Sequence, residues 1–265
     1  MVLSAGFSRI VEDRRFEDYR SMKQHFRHRH VKEYIVSGSG TTAGAEFEFA
    51  TEAMDYIGTE AQACIRTELD DATQKNKYVY MTYTNDDGVI LGPVTADLDG
   101  TNTTTEVNIG AADFWRIREL YSEVASLATK AIVLTDADMD AAARWGMVED
   151  NETQWHAQRY FVPSATQVEH SYLGRIIATG PQIAAAAAAV DSIILTVTLT
   201  PKIITGAEDQ LAADKNIIVT WNKNLDWQPC IELEPATDVI LSWNHTTTGQ
   251  VIWFEADFLE VYVKV

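Results

Sequence analysis

Cysteine is nearly missing from this sequence. Cys64 and Cys230 are the only two in 265 residues. They are too few and too far apart for a disulfide framework or a Cys-based zinc site, so two buried reduced thiols are expected. Long apolar runs are missing as well. No stretch of about 18 consecutive apolar residues occurs, which predicts no membrane-spanning helix. The N-terminus lacks the basic start and apolar core of a secretory signal, so the chain is expected to be made without secretion. No Gly-rich phosphate loop, Gly-x-Ser-x-Gly elbow, His-Glu-x-x-His or Cys-x-x-Cys is found. The common signatures of catalysis and cofactor binding are therefore lacking, and the expectation is a non-enzymatic protein with no catalytic, cofactor or metal residue assigned. Basic residues are scarce too. With 21 Lys and Arg against 39 Asp and Glu, the formal charge is −18, which argues against a surface that lies as a whole on nucleic acid or anionic membrane.

Apolar residues are plentiful, at 46% with 10% aromatics, enough for a packed fold and a sizeable core. The charge is uneven. Residues 1–32 carry Arg9, Arg14, Arg15, Arg20, Lys23, Arg27, Arg29 and Lys32 against Glu12, Asp13, Glu17 and Asp18, so this segment is +4 and the remainder −22. Its apolar residues Phe7, Ile10, Val11, Phe16, Tyr19, Met22 and Phe26 follow an imperfect helical spacing. A helical arm is expected at 1–32. It either packs on its own domain or docks on an acidic neighbouring subunit, with Arg14, Arg15, Arg27 and Arg29 as partner-binding residues.

From Tyr34 the pattern changes to short β-rich runs at 34–36, 45–50, 62–67, 77–84, 89–98 and 102–109. Asn85-Asp86-Asp87-Gly88 reads as a hairpin turn, since Gly supplies the positive φ that tight hairpins demand. Asp97-Leu98-Asp99-Gly100 ends the next run in the same way. Phe114, Ile117, Tyr121, Val124 and Leu127 recur at helical spacing and predict a helix. Strand 131–134 leads into a short helix at 137–145, capped by Asp136 and stopped by Gly146. The second half is more uniformly β, with runs near 154–162, 167–178, 192–204, 216–222, 229–234, 238–244 and 251–264. Alanines 184–189 read as a packed connector. In the last run Ile252, Phe254, Ala256 and Phe258 alternate with Trp253, Glu255, Asp257 and Leu259, a half-buried strand with apolar interruptions on its outer face. Many short strands at close spacing predict a mainly β fold of sandwich or jelly-roll type.

Candidate chemistry is thin. His25, His28 and His30 offer an i, i+3 imidazole pair, but the interleaved Arg27 and Arg29 repel a cation, so a basic patch is the better reading. Asp136, Asp138 and Asp140 resemble the start of a calcium loop, yet position six is Ala141 where the loop needs Gly, and helix capping accounts for the acids. Asp86, Asp87, Asp97 and Asp99 suit turns without any ion. No spacing singles out an acid and base pair for glycoside hydrolysis. Trp221, Trp227, Trp243 and Trp253 are either core and interface anchors or sugar-stacking residues of a carbohydrate-binding module.

Three stretches carry a resemblance. The first orders a Ser- and Gly-rich lead-in, Ser37-Gly38-Ser39-Gly40-Thr41-Thr42-Ala43-Gly44, before the Asp86-Asp87-Gly88 hairpin, then Val94-Thr95-Ala96-Asp97-Leu98-Asp99-Gly100-Thr101, then Phe114-Trp115-Arg116-Ile117. The second is Gln154-Trp155-His156-Ala157-Gln158-Arg159-Tyr160-Phe161-Val162-Pro163. The third is Cys230-Ile231-Glu232-Leu233-Glu234-Pro235-Ala236-Thr237-Asp238-Val239-Ile240-Leu241, followed by a strand through Phe258. In layout these resemble virion structural proteins of tailed phages and related viruses of aquatic microbes. The resemblance implies a head decoration, turret, vertex or neck role. Its partners would be other copies of the chain and neighbouring virion proteins, in a homo-oligomer assembled in the host cytoplasm, with no direct nucleic acid and no membrane. The expected organisation is a basic helical arm at 1–32 and two β-sandwich or jelly-roll-like modules at 33–165 and 166–265, or one continuous domain. The alternative is a carbohydrate-binding or receptor-binding adhesin module.

Overall fold

The computed structural model describes residues 16–40, 57, 60–67, 72–74, 76–98, 107–125, 131–135, 145–148, 151–154, 159–182, 193–203, 210–211, 215–221, 224–244 and 251–264. Over these the chain is mainly β, with several antiparallel sheets and one α-helix. It forms two compact units. Residues 1–51 and 158–265 make a terminal unit, and residues 52–157 make an inserted unit.

In chain order the terminal unit opens with α1 (Tyr19–His25) and β1 (Val31–Gly40). The inserted unit carries β2 (Ala61–Thr67), β3 (Lys77–Thr84), β4 (Ile90–Leu98), β5 (Val107–Phe114), β6 (Arg116–Ser122), β7 (Ile132–Thr135) and β8 (Gly146–Val148). The terminal unit resumes with β9 (Arg159–Phe161), β10 (Val168–Gln182), β11 (Ile193–Ile203), β12 (Gln210–Leu211) and β13 (Lys215–Trp221). It closes with β14 (Leu225–Trp227), β15 (Ile231–Leu233), β16 (Thr237–Asn244) and β17 (Val251–Tyr262).

This division differs from the expected boundaries after residues 32 and 165. Val31 pairs with Val261, and the ladder runs without interruption to Gly40 opposite Ile252. That pairing ties β1 to the last strand across the whole inserted unit. Periodicity identifies a strand, but it does not reveal a partner so distant in sequence.

In the inserted unit one sheet has the order β5-β2-β7-β8 and the other β4-β3-β6. Ile65, Val79, Met81, Leu98, Ile109, Phe114, Ile117, Leu120, Ile132 and Leu134 from both sheets form one buried cluster, with the Trp145 ring stacked on Phe114 at 5.4 Å. The hairpin between β3 and β4 is the expected one. Gly88 has φ 77°, its amide donates to the Asn85 carbonyl at 3.1 Å, and the Val89 amide donates to Asn85 Oδ1 at 2.8 Å.

The helix expected at 114–127 is not formed. Residues 107–114 and 116–122 are strands of different sheets, joined at Trp115. Within β6 the register to β3 shifts between Glu119, opposite Thr82, and Ile117, opposite Tyr83, so Arg118 is an extra residue. A switch of sheet and a bulge each move the inward phase by one position. Phe114, Ile117 and Leu120 therefore all reach the core at three-residue spacing, which imitates a helical period.

The terminal unit has one sheet of order β1-β17-β10-β14, with β15 also on β10, and another of order β12-β11-β16-β9, with β13 also on β11. Tyr160 of β9 stacks on Phe258 of β17 at 4.1 Å. Its hydroxyl donates to the fully buried Glu260 carboxylate at 2.7 Å, and the Tyr262 hydroxyl donates to the same carboxylate at 3.0 Å.

On the opposite face of β17, Leu259 and Val261 are buried by α1. Of the apolar interruptions on the outer face of this strand, Leu259 thus marks where a helix lies, whereas Trp253 is exposed. The strand expected at 45–50, the turn at 99–100, the helix at 137–144 with Asp136, Asp138 and Asp140, the alanines 184–189, and Arg14 and Arg15 lie outside the described residues. So do the side chains of Trp221 and Trp243.

Candidate functional site

The basic N-terminal segment is the first candidate, and it contains α1. Asp18 caps the helix, accepting the Ser21 amide at 2.6 Å, while the Ser21 hydroxyl accepts the Asp18 amide at 3.2 Å. A seven-residue helix is too short to persist alone, so packing must hold it. Phe16, Tyr19, Met22 and Phe26 bury against Tyr172, Cys230, Leu259 and Val261. The Tyr19 amide donates to Gln228 Oε1 at 3.0 Å. Burial, followed by the nearby Glu33 and Asp257 carboxylates, raises the Tyr19 phenol well above its ordinary range.

Of the described arginines of the segment, Arg29 meets its own unit, while Arg20 and Arg27 are exposed. Arg29 forms an ion pair with Glu169 and donates to the Tyr262 carbonyl at 3.3 Å. The hydrogen bond from Arg29 holds the Glu169 carboxyl below the usual range. Arg27 donates to His28 Nε2 at 2.9 Å. The three arm histidines do not converge. His25 lies against Phe16 and Phe26 at 5.3 and 4.8 Å, His28 is bonded to Arg27, and His30 lies on Tyr262 at 4.9 Å. The imidazole that meets carboxylates is one that sequence reasoning did not single out. His170 Nδ1 is 2.6 Å from Glu232 Oε1, and its Nε2 is 3.6 Å from Glu169.

A second candidate is an aromatic ridge on the inserted unit. Val79 and Met81 of β3 enter the core, which turns Tyr78 and Tyr80 to the other face of the sheet. Tyr121 of β6 sits opposite Tyr80 and stacks on it at 4.9 Å and 15°. Tyr78 follows at 6.3 Å. Tyr78 and Tyr121 remain 47% and 39% exposed. Asp97 and Thr95 of β4 lie opposite Tyr78 and Tyr80, both exposed. The alternation of Tyr78 and Tyr80 was visible in the sequence, but the third ring depends on the β3–β6 register.

The turn carboxylates make a third grouping. Glu60 Oε1 accepts the Asp86 amide at 3.0 Å, and the Tyr83 hydroxyl donates to Asp113 at 2.8 Å. Burial first, and then the adjacent acids Asp86 and Asp113, raises Glu60 above the usual carboxylate range. These contacts brace the β3–β4 turn against the start of β2 and the end of β5. Among the described residues no group of three or more His, Cys, Asp or Glu is arranged to hold a metal ion.

Comparison with models of known protein families finds no match, and comparison with curated proteins finds none either.

Proposed function

We propose that this protein is a structural component of a virion. On this reading it is a capsid-associated decoration, turret, vertex or neck protein of a tailed virus, assembled in the host cytoplasm. It acts by binding copies of itself and neighbouring virion proteins, without catalysis. Its two units are read as β-sandwich modules, because each core is built from two antiparallel sheets.

The observation that carries the reading is the ridge of Tyr78, Tyr80 and Tyr121. Three tyrosines on one sheet face, in contact with one another and partly open to solvent, are what a protein interface favours: large rigid contact area with a polar tip. A chain carrying −18 repels its own copies, so assembly needs local surfaces of this kind.

The test is the mass of the purified native protein, by light scattering together with negative-stain imaging. A symmetric oligomer supports the reading, and a monomer at all concentrations refutes it. The same tyrosines favour a second reading, a carbohydrate- or receptor-binding module. A glycan array separates the two, because signal lost in Tyr121→Ala would assign the ridge to sugar.

A further inference from the structure

β13 pairs with β11 from Lys215, opposite Leu199, to Trp221, opposite Ile193, and no strand lies on its other side among the described residues. Every second residue of such an edge strand turns its N–H and C=O away from the one partner it has. Strands at the ends of sheets are ordinarily guarded by charge, proline, a bulge or shortness. Here β1 carries Lys32 and Glu33, β4 Pro93, β5 Asp113 and a register shift against β2, and β6 Glu119. β8, β9, β12, β14 and β15 have three residues or fewer. Over 216–221 β13 has none of these guards. It reads Asn-Ile-Ile-Val-Thr-Trp, uncharged, without Gly or Pro, in unbroken register.

Both faces of this strand are open. Leu195 and Val197 of β11 are buried, but Val219 and Ile217, which lie opposite them on the same face, are only half-buried. The apolar row of the core thus reaches β13 before it is covered. On the other face Ile218, opposite Thr196, is 65% exposed, the most of any large apolar side chain among the described residues.

We propose that β13 pairs antiparallel with β13 of a second copy, about a two-fold axis at Ile218. The proposal rests on the reading that the chain binds its own copies and names one such interface, separate from the tyrosine ridge. In that register the strand is complementary to itself: Ile218 meets Ile218, Ile217 meets Val219, and Asn216 meets Thr220. β-branched residues then oppose one another on both faces of the joined sheet, which cross-strand pairing favours. Ile217 and Val219 of each copy extend the other's apolar row. Charge favours the same place. Two copies at −18 repel each other, and no residue from 215 to 221 is acidic, so neither copy brings a carboxylate from this strand to the contact.

The test uses the full chain and follows its weight-average mass against concentration. The samples are the wild type, Ile218→Lys, Ile218→Glu and an equimolar mixture of the two variants. Ile218 is exposed in a single copy, so both variants should keep the wild-type circular dichroism spectrum. Each variant alone sets two like charges directly opposite each other and should raise the dissociation constant about tenfold or more. The mixture sets opposite charges face to face, and a contact centred on residue 218 should then regain association near the wild-type level. Loss in both variants without recovery in the mixture would overturn the register. Association that neither variant alters would overturn this contact while leaving the assembly reading in place. A chain that is monomeric at every concentration would overturn both.

Discussion

Replacing Met22 by alanine tests the account of how the N-terminal segment is held. Met22 is fully buried, on the α1 face that packs against Tyr172, Leu259 and Val261. Its truncation removes three heavy atoms and leaves a cavity, a change that costs about 2–5 kcal/mol in a packed core. The helix has seven residues and depends on this packing, so the loss should appear first as local opening rather than global unfolding. At 1.4 kcal/mol per factor of ten, even 2 kcal/mol lowers the protection of the α1 amides by roughly 30-fold. Hydrogen exchange with mass analysis of peptides spanning 16–30 reads this directly, with peptides from β3 and β6 as an internal control. A second route to the same effect is Gly174→Ala, because a methyl group there would overlap the Tyr19 ring and crowd the end of Met22. If both variants left α1 protection at the wild-type level, the helix would not be held by this contact and the reasoning would fail.

Gly92→Ala should cost about 1–3 kcal/mol in urea unfolding, because Gly92 has φ 98° and an added Cβ would lie 2.8 Å from the Met81 carbonyl oxygen; an unchanged midpoint would contradict the positive-φ requirement. Tyr160→Phe leaves a buried Glu260 oxygen without its 2.7 Å donor and is expected to cost about 1–3 kcal/mol by the same measurement. Asp257→Asn should raise the melting temperature at neutral pH. The folded-state pKa of Asp257 is raised, first by burial and then by Glu255, so its stabilising contribution is complete below the unfolded-state pKa and is lost as pH rises through the folded one. The gain from asparagine must therefore shrink as the pH is lowered below the ordinary carboxylate range, and a gain independent of pH would point to packing instead.

What could be read in advance followed the range of the interaction. The β3–β4 hairpin was legible because Val79 and Met81 alternate with Tyr78 and Tyr80 up to a turn ending in Gly88, and every determinant lies within about twenty residues. β11, β16 and β17 were legible for the same reason. β14 and β8, three residues each, are too short to show a period. The pairing of β1 with β17 was out of reach, and with it the fact that one unit is built from two separate stretches of sequence. The arm shows a similar limit. Its positive charge is a property of residues 1–32 alone, whereas the seat of Arg29 on Glu169 depends on a residue 140 positions away.

The error at 114–127 is the most instructive, because the pattern was real and its cause was not a helix. A period of three in buried positions arises wherever a strand changes sheet or takes an extra residue, since each event advances the inward phase by one. Here both occur within six residues, at Trp115 and at Arg118. Burial, not composition, separates the two origins. A helix with that stripe needs polar residues on its far side, but Arg116 and Arg118 are both buried, and the Arg116 guanidinium lies 4.3 Å from the Trp115 ring while donating to the Ile57 carbonyl at 3.1 Å. Val124, which extended the helical stripe, is not in the core cluster, and Leu127 lies outside the described residues. The stripe thus breaks after Leu120, at the point where β6 reaches the exposed Tyr121 and the strand resumes ordinary alternation between core and ridge. The bulge that misled the reading of the sequence is therefore also what turns Tyr121 outward onto Tyr80. Pairing β6 with β3 in regular register while keeping Arg118, with Ile117 held inward, would carry Tyr121 toward the core and dismantle the ridge on which the proposed assembly depends.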